Sequence, residues 1–118
     1  SIFNFGNAHL NFQGREFKMI DKIKLKTIKL ETLFEKHKLD CQKYNFWVID
    51  VQGAELLVLD GAKKLLNYCQ YLYIEISIEE FYKNAVTFEE LDNWLTKKNF
   101  KKFWEPKKNH TNLLYYKN

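Results

Sequence analysis

Two short apolar runs, separated by one helix-length segment, are the feature that most constrains the fold of this chain. The runs are YNFWVIDV at residues 44–51 and QYLYIEIS at residues 70–77. Each has the length of a strand and few polar interruptions, which is typical of strands covered on both faces. Two strands joined by a helix run parallel in one sheet. The segment between them has helical spacing, with an apolar face formed by Ala54, Leu57, Val58, Gly61 and Leu65.

The residues before this unit continue the alternation of strands and helices. Residues 21–30, DKIKLKTIKL, alternate apolar side chains with lysine and predict a half-exposed strand. Residues 31–40, ETLFEKHKLD, predict a short helix whose inward face contains Leu33, Phe34 and, less firmly, His37.

The residues after the unit complete the pattern. Thr87, followed three residues later by Glu90, has the spacing of a capping box and predicts the start of a helix. Residues 101–107 and 110–118 predict two strands joined by a short turn, and therefore a hairpin. The full order predicts an α/β fold with a Rossmann-like, doubly wound, mostly parallel sheet that ends in an antiparallel hairpin.

Length and composition limit the chain to one small domain, residues 1–118. With 46% hydrophobic and 17% aromatic residues, the chain has enough apolar side chains to form a core. It has no apolar run near 18 residues and no signal peptide, so we expect no membrane partner. Cys41 and Cys69 have no metal-binding or redox spacing and suit a reducing compartment, which predicts a cytoplasmic protein.

The charges are unevenly distributed along the chain. Residues 49–93 carry nine Asp and Glu against three Lys, whereas residues 94–118 carry seven Lys against one Glu. A basic surface of this kind can contact phosphate or nucleic acid. We favour a solvated surface, because arginine, the better reader of bases, occurs once, as Arg15.

The stretch WVIDVQGAELLVLDGAKKLL, followed by YLYIEIS, closely resembles the FkbM-family methyltransferases. Upstream, KLETLF is similar to that family's Leu-Asp-x-Leu element, with Glu31 in place of aspartate, and downstream NLLYYKN is similar to its closing strand. The resemblance covers roughly residues 20–118. The motif is an apolar strand, Asp-x-x-Gly-x-Glu, Leu-x-Gly-Ala and a second strand ending in an acid, here Asp50, Gly53, Glu55, Leu59, Gly61, Ala62 and Glu75.

This resemblance implies methyl transfer from S-adenosyl-L-methionine to a hydroxyl group, on a sugar or another small molecule or glycan. Binding of that cofactor needs a glycine-rich turn after a first strand. Gly6 and Gly14 are isolated and follow no buried strand. The chain is therefore predicted to be the C-terminal, acceptor-side half of a methyltransferase domain, inactive alone. Without its neighbour, the strand at residues 46–51 would present an apolar edge, which predicts self-association.

The acids around the central turn are the candidate site residues. In open α/β sheets, ligands lie at the carboxyl ends of strands at the switch point, where the resemblance places Asp50. A carboxylate there can orient the acceptor, take its proton and favour the sulfonium, so Asp50 is predicted to be catalytic; the alternative is a structural acid that bonds nearby amides. Contacts to the cofactor are expected from Asp50, Gln52 and Gly53, although Gln52 replaces a frequent acid. Gly53 would let the backbone approach ligand or other backbone.

The remaining candidates carry open alternatives. Glu55, near the third helical position, contacts substrate or receives amides of the first helical turn, and the second role is favoured. Glu75, late in a buried strand, is either catalytic or part of a buried ion pair. His110 and His9 are candidate substrate contacts, or surface residues. No cluster has ligand spacing, so we predict no metal; a divalent cation at Asp50 is the alternative.

Three classes of function therefore remain. The leading prediction is the methyltransferase half-domain. The second is a non-enzymatic binding or structural module that kept the fold and lost the cofactor loop. The third is a basic nucleic-acid-binding domain, which would show binding that weakens steeply with salt.

Overall fold

The computed structural model describes residues 2–4, 20–79 and 82–118. Within them the chain forms a mixed α/β fold with three α-helices and one four-stranded sheet, as the alternating pattern predicts. The irregular lead-in and His9 lie outside the described residues. The elements are α1 (Leu30–His37), β1 (Phe46–Ile49), α2 (Glu55–Ala62), β2 (Tyr71–Ser77), α3 (Phe88–Lys97), β3 (Lys101–Lys102) and β4 (His110–Tyr116).

The strands lie in the order β1-β2-β4-β3. β1 and β2 are parallel, with Ile49 opposite Ile74, and α2 is the connection between them. β4 runs antiparallel to both β2 and β3, so the predicted parallel pair and the C-terminal hairpin are confirmed. In this order β1 forms one edge of the described sheet.

The core fills one face of the sheet. Side chains alternate between buried and exposed along β1 and β2, as the two-residue period of a strand requires. The buried side chains of α2 and α3 pack against this same face. The core cluster includes Trp47, Ile49, Leu59, Ala62, Leu72, Ile74, Ile76, Leu91, Leu95, Phe100, Leu113 and Tyr115.

The opposite face of the sheet is open among the described residues. Phe46 and Val48 of β1 are 54% and 67% exposed, and Tyr71 and Tyr73 of β2 lie beside them. The prediction that both apolar runs are covered on both faces is therefore not met by the described residues, whose helices supply one layer. A doubly wound arrangement, which needs helices on the second face as well, stays a prediction.

The segment before α1 corrects the sequence analysis. Residues 21–29 form no strand, and Ile23 and Leu25 are 82% and 81% exposed. Alternating side chains make a strand only where a neighbouring strand accepts the backbone hydrogen bonds, and among the described residues none does so here. The helix that follows is confirmed, with Leu33 partly buried but His37 exposed.

The prediction from sequence is confirmed for the start of α3 but differs from the structure for the end and the buried face of α2. The capping box of α3 is confirmed: Thr87 Oγ1 accepts from the Glu90 amide at 3.3 Å, and the Glu90 carboxylate accepts from the Thr87 amide at 2.9 Å. α2 ends at Ala62, before Leu65 of the predicted helical face, and the chain continues from there as a 3₁₀ helix. Its buried face includes Leu59, whereas Leu57, predicted inward, is 61% exposed.

The cysteines are free thiols rather than a disulfide. Cys69 is buried in the core, and burial raises the pKa of its thiol to about 12. None of the helices within residues 20–79 and 82–118 is long and apolar enough to cross a bilayer.

Candidate functional site

Asp50 and Glu75 lie side by side at one end of the sheet. Since Ile49 is opposite Ile74 in the parallel pair, the next residue of each segment is an acid. The two carboxyl groups share a hydrogen bond. Asp50 is exposed, whereas the Glu75 side chain is 14% exposed. The fold thus joins, at the carboxyl ends of two parallel strands, the two residues for which the sequence predicts catalytic roles.

Glu75 also contacts a histidine from the neighbouring antiparallel strand. His110 is opposite Ser77 at the start of β4, and its Nε2 lies 2.9 Å from Glu75 Oε1. The side chain of His110 is 29% exposed. The structure therefore places His110 in the same cluster as Asp50 and Glu75, on the open face of the sheet.

The electrostatic environment of Glu75 is unusual. Burial, followed by the charge and hydrogen bond of Asp50 and the charge of Glu55, raises the pKa of Glu75 to about 7. A protonated His110 would oppose this rise, because a nearby cation favours the ionised carboxylate. Glu75 therefore changes its charge near neutral pH, where acid–base groups are most effective.

Glu55 holds the turn between β1 and α2. It is 2% exposed, and its Oε1 accepts from the amides of Val51 at 3.3 Å and Gly53 at 3.1 Å. It is the first helical residue rather than the third, and these amides belong to the turn before the helix rather than to its first turn. This geometry supports the structural role, although Glu55 also lines the small cavity described below.

The turn itself has an uncommon backbone. Gln52 and Gly53 both have positive φ, 58° and 98°. A Cβ on Gly53 would lie 2.5 Å from Ala85 Cβ, so this glycine allows the chain to pack closely against residues 85–86. Of the two roles considered for Gly53, the structure shows approach to protein, where the Val86 amide also donates to the Gly53 carbonyl at 3.2 Å.

Tyr82 is a site residue that the sequence analysis missed. It is 8% exposed, and its hydroxyl donates to Gln52 Oε1, while Gln52 Nε2 donates to Asp50 Oδ1 at 3.1 Å. Burial, then the charges of Glu75, Asp50 and Glu55, raise the pKa of Tyr82. The sequence offers little signal for this role, because Tyr82 lies in an irregular segment 30 residues after its partner.

A cavity of about 20 Å³ lies behind the acids. This is room for roughly one water molecule. Its walls include Glu55, Glu75, Tyr82 and His110. A substrate does not fit inside it, so the accessible side of the cluster is the solvent-facing carboxylate of Asp50.

Two further predictions concern His9 and a metal ion. His9 lies outside the described residues, and its predicted contact with substrate stays a prediction. Among residues 2–4, 20–79 and 82–118, no three His, Cys, Asp or Glu side chains are placed to hold a metal ion.

Four lysines of the C-terminal part and Lys63 converge at the other end of the sheet. Lys63, Lys97, Lys98, Lys101 and Lys117 line one open concavity together with three asparagines. Lys117 Nζ donates to the Leu66 carbonyl at 2.9 Å, and burial, ahead of the charge of neighbouring Lys98, lowers the pKa of Lys117. The acidic cluster and the basic concavity thus occupy opposite ends of the molecule.

Comparison with protein families identifies the chain. The model described as the methyltransferase FkbM domain matches residues 3–102, which is most of the 118 residues and includes Asp50 and Glu75. His110 lies beyond the matched residues. Comparisons with curated proteins and with solved structures found no match. The match confirms the resemblance carried by the central motif, and this chain belongs to the FkbM methyltransferase family.

Proposed function

We propose that this chain is the acceptor-side half of an S-adenosyl-L-methionine-dependent O-methyltransferase. Membership of the family supports a methyltransferase, and S-adenosyl-L-methionine is the usual methyl donor of such enzymes. One observation carries the site: the exposed carboxylate of Asp50 lies beside Glu75 at the carboxyl ends of parallel strands, where α/β enzymes bind their ligands.

The described residues fit the cofactor in part. When bound, it supplies a methyl group on a positively charged sulfonium, and the acidic cluster suits a cation. The glycine-rich turn that would hold the rest of the cofactor is not found among residues 20–79 and 82–118, since Gly53 faces Ala85 and a Cβ on Gly61 would make ordinary contacts with Lys29. Asp50 is accordingly the proposed contact to the sulfonium, and the Gln52–Gly53 turn holds Asp50 in place.

Asp50 is the proposed base for the acceptor hydroxyl. Its exposed carboxylate accepts the hydroxyl proton and orients the oxygen for attack, which is the positioning and proton transfer that O-methylation requires. Glu75, protonated below pH about 7, donates to Asp50 and keeps the charge of the pair low. His110 is 2.9 Å from Glu75 and partly exposed, so it links the pair to solvent and can also contact the acceptor.

The acceptor is proposed to be a hydroxyl on a sugar or another secondary metabolite, small or part of a glycan. It would lie over the open face beside Asp50, because the cavity behind the acids has room for about one water. Tyr73, an exposed aromatic side chain of this face, lies two residues before Glu75 along β2. We also propose that His9 and the second carboxylate oxygen of Glu55 contact the acceptor.

The half-domain role is supported by the open sheet. β1 is an edge strand of the described sheet, and the exposed Phe46 and Val48 lie on its uncovered face. In a doubly wound methyltransferase a further strand would pair with β1, and helices would cover this face. We propose that the cofactor-binding half supplies both, so residues 1–118 form the C-terminal portion of one domain.

Substitution of Asp50 by asparagine tests the catalytic proposal. In the enzyme that unites this chain with the cofactor-binding half, Asp50→Asn keeps the shape and removes the base, so we expect kcat to fall by about 10²–10⁴-fold with little change in the melting temperature. A matched change at exposed Asp60, Asp60→Asn, should leave kcat unchanged.

The same experiment separates the alternatives. If Asp50 is a structural acid, Asp50→Asn instead lowers the free energy of unfolding by about 1–3 kcal/mol, and the remaining folded enzyme turns over normally. A stable variant at full activity would reject both roles. Failure of the unaltered protein to transfer a methyl group to any hydroxyl would favour the non-enzymatic module.

A further inference from the structure

The turn after β1 keeps a non-glycine residue in the left-handed region. Gln52 has φ 58°, a conformation that costs on the order of 1 kcal/mol and persists only where the surroundings enforce it. Both ends of its side-chain amide are engaged. The oxygen accepts from the Tyr82 hydroxyl, and the nitrogen donates to Asp50 Oδ1 at 3.1 Å.

Tyr82 is well fixed against this turn. It is 8% exposed, and its carbonyl accepts from the Ala85 amide at 3.1 Å. The amide of Val86, the residue after Ala85, donates to the Gly53 carbonyl at 3.2 Å. With its pKa raised by burial and by the surrounding carboxylates, the phenol stays protonated at neutral pH. Tyr82 is therefore a hydrogen-bond donor held at a fixed place beside the Gln52 amide.

A donor on one side decides which way the amide points. The Gln52 amide has one acceptor end and one donor end. With the oxygen facing the phenol, the NH₂ group faces Asp50, where a carboxylate accepts it. The reversed amide would place its oxygen against the Asp50 carboxylate, which is repulsive.

We propose that Tyr82 is a positioning residue for Asp50, which acts by orienting the Gln52 amide so that its NH₂ group holds the Asp50 carboxylate. The inference rests on the proposed function for its catalytic meaning, since Asp50 is the proposed base. It extends the site to a residue that acts on Asp50 through the Gln52 amide. Tyr82 thereby couples residues 82–86 to the carboxyl end of β1.

The effect can be followed without cofactor or acceptor. Ionisable groups surround Glu75. Because the Glu75 and Asp50 carboxyls share a hydrogen bond, a change in the hydrogen bonding of Asp50 changes the titration of Glu75. Without the amide donor the Asp50 carboxylate has one hydrogen bond fewer, so its charge acts more strongly on Glu75 and favours the protonated form of Glu75. The groups that face Glu75 are Asp50 after β1, Glu55 of α2, Tyr82 and His110 of β4.

The experiment is an NMR titration of the Glu75 carboxyl carbon in the unaltered chain and in Tyr82→Phe. We expect the midpoint of Glu75 to rise by up to about one pH unit, because an Asp50 carboxylate without its amide donor repels ionised Glu75 more strongly. Tyr73→Phe is the matched control, because Tyr73 lies on β2 two residues from Glu75 on the same face. It should leave the midpoint unchanged.

A second variant shows whether Tyr82 acts through Gln52. Asparagine tolerates positive φ but has a shorter side chain, so in Gln52→Asn the amide should no longer reach Asp50 and the Glu75 midpoint should rise in the same way. Tyr82→Phe added to Gln52→Asn should then produce no further shift. An unchanged midpoint in Tyr82→Phe, or an equal shift in both backgrounds, overturns the proposal.

Two outcomes keep the test independent of folding and of the proposed function. If Tyr82→Phe does not fold by circular dichroism, Gln52→Asn alone decides, and an unchanged Glu75 midpoint overturns the proposal. If Asp50→Asn keeps full activity while the Glu75 midpoint in Tyr82→Phe rises as expected, the orientation by Tyr82 stands and the catalytic role of Asp50 fails.

Discussion

Replacing Glu75 with glutamine removes a carboxyl group whose charge the fold disfavours. The pKa of Glu75 is raised from 4.5 to about 7, chiefly by burial and then by Asp50. A folded-state pKa above the unfolded value means that the folded protein binds the proton more tightly. The contribution of protonated Glu75 to the free energy of unfolding is therefore complete below pH about 4.5 and is lost as the pH rises through about 7.

The size of the effect follows from the two pKa values. A difference of this size corresponds to about 3 kcal/mol in the free energy of unfolding. It is an upper limit, because His110, 2.9 Å away, stabilises the carboxylate whenever the imidazole is protonated. Glu75→Gln removes the pH dependence that Glu75 gives to the free energy of unfolding. Between pH 4.5 and 8, the free energy of unfolding of the variant should therefore rise relative to that of the unaltered chain by up to about 3 kcal/mol.

Urea unfolding at pH 4.5, 6 and 8 measures this difference. The fluorescence of Trp47, 9% exposed in the core, reports the transition. Glu35→Gln, at an exposed position of α1, is the matched control and should follow the unaltered chain at all three pH values. If Glu75→Gln and the unaltered chain show parallel stability profiles, the argument from burial and from Asp50 is refuted.

Three further predictions test the half-domain proposal and the surface. Calorimetry of residues 1–118 with S-adenosyl-L-methionine should show weak or no binding, and micromolar affinity would contradict the assignment of the main cofactor contacts to another half. Light scattering should show self-association of the chain, which Val48→Lys on edge strand β1 should reduce and Thr96→Lys on α3 should not; a monodisperse monomer at high concentration would count against an exposed interface. Single-stranded RNA should not be retained at 0.15 M salt despite the five lysines of the basic concavity, and tight, salt-dependent binding would instead favour a nucleic-acid partner.

Local signals in the sequence determined much of this architecture. The capping box of Thr87 and Glu90 places the start of α3, because both partners lie within one helical turn. The apolar runs that contain Trp47 and Leu72 place β1 and β2, and the helix between them makes the pair parallel. Proximity of Asp50 and Glu75 then follows, since parallel strands end at the same side of the sheet.

Contacts between distant segments were decided by the tertiary structure alone. Alternation in residues 21–30 predicts a strand, yet these residues form none, because a strand needs a partner that sequence periodicity does not supply. The pairing of Glu75 with His110 depends on the β2–β4 register, and the contact of Tyr82 with Gln52 spans 30 residues of chain. The raised pKa of Glu75 arises from its burial and from the nearby carboxylates of Asp50 and Glu55, which the fold brings together, so no local pattern in the sequence encodes it.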